Sequence, residues 1–420
     1  MIRIKPFAAL RPRPEHAARV ACVPYDVVNT VEARALAGGD PLSFLHAIRP
    51  EINLPDDADP HAPAVYERAR TEFTRFAREV FVRDETPGVY LYRQEAELPA
   101  GSGRTVSQTG IVACCHIDDY ARGLIKKHEK TRQDKEDDRT RYVLAQNANA
   151  EPVFFLYRDE AALAGLIEAG TMVAPLYDFK AVDGVRHTVW RASSVEPFVG
   201  AFAKMASVYV ADGHHRTAAA ARAGAERRAQ NPRHTGDEEY NWFLSVLFPA
   251  SRLTILPYHR LVKDLNGLSA RTFLEKLAGV GRVTAGAAAS APRPGSVSVY
   301  LRDETGRGGW HGLEFPAESI PTHDPIKSLD YEILADRVLT PILGIGDVRT
   351  DKRIDFVGGI RGPGELQRRV DMGDAAVAFS MHPTTIAQLM AIADAGAIMP
   401  PKSTWFEPKL RSGLLVHTLD

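Results

Sequence analysis

Residues 205–224, MASVYVADGHHRTAAAARAG, hold the densest set of groups able to bind an anion. A β-rich run ends at Ala211, an Ala-rich helix starts at about His214, and Asp212 and Gly213 form the turn between them. The first turn of such a helix leaves backbone N–H groups without intrahelical partners and carries the positive end of the dipole. It therefore accepts phosphate readily. His214, His215 and Arg216 add donors there, and Arg216 could grip two phosphate oxygens at once. Asp212 could cap the helix or hold a Mg2+ ion that bridges phosphates. Cations at a helix start oppose the dipole, so the pattern asks for an anionic ligand. The plainer alternative makes Asp212 an N-cap and the histidines incidental.

A second constellation is KKHEKTRQDKEDDR at 126–139. On a helix, His128, Arg132, Lys135 and Arg139 line one face. Each like-charge neighbour there costs about 0.2–0.5 kcal/mol in an isolated helix. Glu129, beside His128, is the one group of this run fitted to act as a general base. A solvated charged face relieved by Glu136 and Asp138 is the competing reading. A third is MPPKSTWFEPKL at 399–410. It is not a Walker A loop, because Pro401 precedes Lys402 and no helix follows Thr404. Lys402 could serve as a point charge on a phosphate, and Ser403 and Thr404 could hold a small polar substrate. A purely structural loop is the alternative.

These residues need elements to position them. The periodicity predicts a helix over 64–80 and a long hairpin made of GVYLYRQEAEL and TGIVACCHI, joined by AGSGRT. PDDADPHAP at 55–63 reads as a loop, 118–148 as polar helix, and EPVFFLYR at 151–158 as a buried strand. Helix, two strands, helix, strand and the DGHHR helix follow to residue 230, then strands at NWFLSVLFP and ILPYHRLVK. The stretch VTAGAAASAPRPG (283–295) reads as a linker, followed by alternating strands and helices to the end. Strands and helices mixed without strict alternation predict an α+β protein with a mixed sheet. The expected division is an N-terminal α+β elaboration at 1–120, a phosphate-binding core at 121–282 and a C-terminal α/β lobe at 296–420.

The 420 residues carry 52 Lys and Arg against 53 Asp and Glu, a formal net charge of −1. That balance argues against attachment to DNA or membrane by bulk charge. Cys22, Cys114 and Cys115 make neither a disulfide framework nor a cysteine zinc site, and the thiols suit a reducing cytoplasm. No signal peptide and no apolar run of about 18 residues is read.

The whole chain resembles the proteins grouped as Domain of Unknown Function family 1015. The resemblance is carried by VPYDVVN, FLHAIRPEINLP, the HEKT–K–DR run, ADGHHR, PYHRLV and PPKSTWF–PKL–SGLLV. More distantly, three segments in preserved order look like the ADP-dependent free-serine kinase of the ParB/sulfiredoxin-like superfamily: KKHE at 126–129, ADGHHR at 211–216, and 373–396 running into PPKST at 400–404. The resemblance implies a ParB/sulfiredoxin-like nucleotide-binding core. It implies Glu129 as catalytic base, Asp212, Gly213, His214, His215 and Arg216 as the phosphate turn, and Lys402 to Thr404 near the substrate. About 120 residues precede KKHE here, most of which that kinase lacks, and the gap from Glu129 to Asp212 is longer. The leading expectation is a phosphotransferase acting on free serine, or on phosphoserine in reverse. ATP or ADP would be the donor, with Mg2+, and Arg132, Lys135, Arg139 and Lys402 would neutralise charge beside His128 and Glu129. A nucleotide-sensing ParB-type regulator or DNA-associated protein is the first rival. A metal hydrolase using His128, His214, His215 and His259 is the second. Tyr25, Asp26, His46, Arg49, His259 and Arg260 lie in motif-like stretches whose chemistry spacing does not reveal.

Overall fold

The computed structural model describes residues 1–55, 58–99 and 103–420. The middle of the expected 55–63 loop and the tip of the expected hairpin therefore lie outside the described residues. The chain divides into two compact units. The first comprises 1–96, 105–253 and 408–420, and the second 97–104 and 254–407. This differs from the expected division. Strands from both sides of residue 120 share one sheet, and 283–295 joins two strands of the second unit instead of separating lobes.

The first unit is built on a nine-stranded sheet. Its strands are β1 (Ile4–Lys5), β2 (Tyr90–Glu97), β3 (Thr105–His116), β4 (Ile125–Lys126), β5 (Val153–Tyr157), β6 (Tyr177–Lys180), β7 (Arg186–Arg191), β8 (Val208–Asp212) and β9 (Trp242–Pro249). Their order is β4-β8-β5-β9-β3-β2-β7-β6, with β1 also on β3. The β4–β8 and β5–β9 pairs are parallel, and β1–β3, β2–β7, β6–β7, β5–β8 and β3–β9 are antiparallel, so the sheet is mixed. The expectation of an α+β mixed-sheet protein is met at this level. Strand β5 is VFFLY, buried at every position, as a central strand covered on both faces must be. Alternate residues Ile111, Ala113 and Cys115 of β3 join Val153, Phe155, Val208 and Val210 in one core cluster. Cys114 and Cys115 are fully buried, and burial pushes the Cys115 thiol up to about 12, so it stays protonated.

Three helices matter for the site: α1 (Pro63–Arg75), α2 (Gln133–Gln146) and α3 (His214–Gln230). The expected helix over 64–80 is α1 followed by a π turn at Phe76–Val80. The expected polar helix over 118–148 is broken. Ile125 and Lys126 pair in parallel with Val208 and Tyr209, and Ile125 is fully buried. Edge pairing thus outcompetes helix formation, and α2 starts only at Gln133.

The second unit carries a six-stranded sheet that includes Tyr258–Val262, Ser296–Arg302 and Val377–Met381. Its core is formed by Phe273, Val299, Leu334 and Phe379, among others. Among the described residues no helix is long and apolar enough to cross a membrane.

Candidate anion-binding site

Strand β8 runs directly into α3 through a single residue, Gly213, whose φ of 84° lies in the left-handed region. A register shift between Val210 and Asp212 bends the strand just before the turn. Gly213 is the N-cap and no side chain caps the helix, so the first-turn N–H groups of α3 keep their capacity for a ligand. Asp212 is the last residue of the strand and does not cap, which overturns the plainer reading of this turn. Its Oδ2 instead faces Lys409 Nζ at 3.4 Å and Arg216 Nη2 at 3.5 Å. Burial alone would push this carboxyl up; Lys409 and Arg216 outweigh it and hold it at about 2.

Arg216 is buried, with 6% of its side chain exposed. Nη1 donates to the Pro152 carbonyl at 2.9 Å, whereas Nε has no hydrogen-bond partner. The guanidinium lies against Gly213, where a Cβ would sit 3.1 Å from Nε and 3.2 Å from Nη2. Of the Nε–Nη2 edge, Nε is unpartnered and Nη2 is held only at long range, 3.5 Å from Asp212 Oδ2 and 3.7 Å from Asp26 Oδ2; a guanidinium edge of this kind matches an oxyanion. Behind it, a cavity of about 30 Å3 lined by Arg139, Glu151 and Arg216 has room for water but not for a nucleotide.

His214 is also buried, and its Nε2 lacks a partner. Its ring meets that of His128 edge to face at 4.5 Å. Burial, with His128 alongside, holds His214 well below the ordinary histidine value, and burial brings His128 down to about 4. Both rings are therefore neutral at pH 7. Glu129 Oε2 lies 3.6 Å from His214 Nδ1; with a neutral ring this is a neighbour contact and not an ion pair. The Glu129 side chain is 56% exposed. His215 accepts from the Arg132 backbone N–H at 3.1 Å, which ties the 127–132 segment to the helix start.

The structure thus brings His128, Glu129, Asp212, Gly213, His214, His215 and Arg216 together, and it corrects the cationic stripe. His128 precedes α2 and is buried, and Arg132 sits at the α2 N-cap in extended conformation, paired with Asp134 at 2.7 Å. Arg139 is buried, bonded to Asp138 at 2.6 Å and stacked on Tyr25 and Tyr142 at 4.0 and 3.8 Å. Its Nη1 has no hydrogen-bond partner, while Lys135 lies part-buried in the first turn of α2. Lys402, Ser403 and Thr404 belong to the second unit. There Lys402 takes a left-handed φ of 57°, Arg260 donates to the Lys402 carbonyl at 3.0 Å, and Ser403 Oγ donates to the Pro400 carbonyl at 2.7 Å. Arg260 also stacks on Tyr331 at 4.3 Å, and His259 Nδ1 accepts from the Met381 N–H, so the PYHRLV stretch pins this loop. Among the described residues no three His, Cys, Asp or Glu groups are arranged to hold a metal ion.

Two groups of the turn escaped sequence reasoning, Asp26 and Lys409. Lys409 is held by the Gln94 side chain, which donates to its carbonyl at 2.7 Å, and Gln108 donates to Gln94 and to the Pro408 carbonyl. The only signal available was their place in the short motif-like stretches VPYDVVN and PKL.

Fold and site define an α+β protein with a candidate oxyanion seat at a strand-to-helix turn. The chain belongs to the family described as Protein of unknown function (DUF1015), which matches residues 4–332. No curated protein matches it. Among solved structures it is similar to free serine kinase in complex with AMP, at 12% identity over 73% of this chain and 91% of that one, TM-score 0.35. It is also similar to a conserved hypothetical protein from Pyrococcus furiosus, at 13% identity over 73% and 94%, TM-score 0.34. A third is SbnI with C-terminal truncation from Staphylococcus aureus, at 11% identity over 73% and 86%, TM-score 0.37. Likenesses of this size leave the activity to the chemistry of the site.

Proposed function

We propose that the first unit binds the phosphates of ATP or ADP at the Asp212–Arg216 turn. It would transfer a phosphoryl group between that nucleotide and a small hydroxy amino acid, free serine or phosphoserine in reverse, on a ParB/sulfiredoxin-like core. The observation that carries this reading is the uncapped start of α3 with the unpaired Nε of buried Arg216 over Gly213. Glu129 takes the proton of the acceptor hydroxyl, the hydroxyl oxygen forms the new P–O bond, and the bond from phosphorus to the nucleotide's bridging oxygen breaks. Such a transfer depends on positioning and charge neutralisation more than on covalent chemistry by the protein. The neutral His128–His214 pair forms a wall beside Glu129 without competing for the phosphate. A magnesium nucleotide needs only one or two protein carboxylates; Asp212, 28% exposed at the turn, would be that carboxylate by exchanging its long contacts with Lys409 and Arg216 for the ion, and the ion when bound would screen the phosphate charge.

Incubation with serine, Mg2+ and either nucleotide, reading phosphoserine directly, tests the proposal, with phosphoserine and nucleoside mono- or diphosphate as the reverse arm. Product in either direction supports it. Nucleotide binding without turnover is the result expected of the regulator reading, and no nucleotide binding removes both. Lys402→Ala in the same assay tests the expected role of Lys402, Ser403 and Thr404 toward the acceptor.

A further inference from the structure

The loop Val23–Asn29 is a motif that the turn itself does not explain, and it reaches the turn. Three separate anchors fix it. Arg49 Nη1 donates to the carbonyls of Tyr25 and Val28 at 2.8 and 3.0 Å, and its Nη2 donates to Thr30 Oγ1 at 3.1 Å. The Tyr25 N–H donates to Glu151 Oε1 at 3.1 Å. The Tyr25 ring lies 4.0 Å from the Arg139 guanidinium carbon. This clamp leaves one side chain pointing at the anion seat: Asp26, whose Oδ2 is 3.7 Å from Arg216 Nη2. That separation is an ion pair longer than a hydrogen bond, so the carboxylate keeps its hydrogen-bonding capacity toward a ligand. Asp212 is shared between Arg216 and Lys409, whereas 37% of the Asp26 side chain is open to solvent. A ligand can reach it.

The seat therefore offers a cation with an unpartnered Nε and, next to it, an exposed carboxylate. A bare phosphate satisfies the first and is repelled by the second. A phosphate ester that carries an ammonium group satisfies both. We infer that Asp26 is a specificity-determining residue that selects amino-bearing phosphate esters, and amino-bearing acceptors, by receiving their ammonium group. This rests on the phosphate seat proposed above and adds to it the charge of the partner. The chemistry is ordinary: hydrogen bonds involving charged groups are the strong ones, and a buried or half-buried partner left unmatched is costly.

The test compares two ligands by calorimetric titration: O-phosphoserine, and 3-phosphooxypropanoate, which has hydrogen in place of the ammonium group. The parent protein should prefer O-phosphoserine by about 10- to 100-fold. Asp26→Asn should erase that preference while binding 3-phosphooxypropanoate at least as tightly as the parent, and Asp26→Glu should keep part of it. Because Asp26 is exposed, thermal unfolding of these variants should match the parent. A preference that survives in Asp26→Asn overturns the inference and leaves the phosphate seat standing. Arg216→Ala separates the two ideas: loss of both ligands supports the seat, and unchanged binding of both removes the seat and the inference with it. Equal affinity of the parent for the two ligands also overturns the inference.

Discussion

Replacing Gly213 by alanine should weaken anion binding through geometry alone, with no change of charge. The residue sits at φ 84° and ψ 37°, where a side chain costs about 1–2 kcal/mol. The unfolded chain also loses freedom on gaining a Cβ, which returns about 0.4–1 kcal/mol. The net loss of stability is then about 1 kcal/mol. The added Cβ would lie 3.1–3.2 Å from Nε, Cζ and Nη2 of Arg216. That is too close for comfort by a few tenths of an ångström, and the guanidinium is anchored on its far side to the Pro152 carbonyl. It must tilt off the Nε–Nη2 edge, losing about one charge-assisted hydrogen bond to the ligand, worth about 1.5–3 kcal/mol. Titration with pyrophosphate should show an affinity lower by about 10- to 150-fold, while urea unfolding shows only the small stability loss. Arg216→Ala removes the group that Gly213 makes room for, so the double variant should bind no more weakly than Arg216→Ala alone. Parent-like affinity in Gly213→Ala, or losses that simply add, would refute the placement of the anion on that edge.

Glu129→Gln keeps the shape and removes the proton acceptor; turnover in the phosphoserine assay should fall by about 10²–10⁴-fold with nucleotide affinity unchanged, and an equal rate would take Glu129 out of the mechanism. Stability should fall in mild acid. Burial holds His116, His128 and His259 at about 4 in the folded protein, against about 6.5 when unfolded. The unfolded chain therefore binds more protons between about pH 6.5 and 4, and stability rises with pH across that window. Urea midpoints measured from pH 4 to 7 check this, and His128→Phe should flatten the slope; a midpoint that does not move would contradict the neutral, buried histidines.

The strand-to-helix turn at 208–216 was readable because two local signals meet there, a β-branched run and an Ala-rich helix, and the residues between them were few. Central strands such as VFFLY were readable for the same reason. The cationic stripe was misread because helical spacing says nothing of a competing sheet edge: Ile125 pairing with Val208 decides where α2 begins. Arg139 looked like a phosphate ligand because its partners, Asp138 beside it and the Tyr25 ring 114 positions earlier, are joined only by folding. Asp26 and Lys409 meet Arg216 and Asp212 across 190 and 197 positions of chain, a relation no local pattern encodes.

Lys409 also carries a consequence for how the protein is made. The segment 408–420 belongs to the first unit, yet it is synthesised after every residue of the second. At about 5–20 residues per second, translation of 254–407 takes on the order of 10 s. Throughout that interval Asp212 and Arg216 are present on a nascent chain without the lysine that balances Asp212. The anion seat, like the other contacts of 408–420, is thus completed only after the second unit has been synthesised, and a chain cut short anywhere in the second unit has the turn but not its counter-charge.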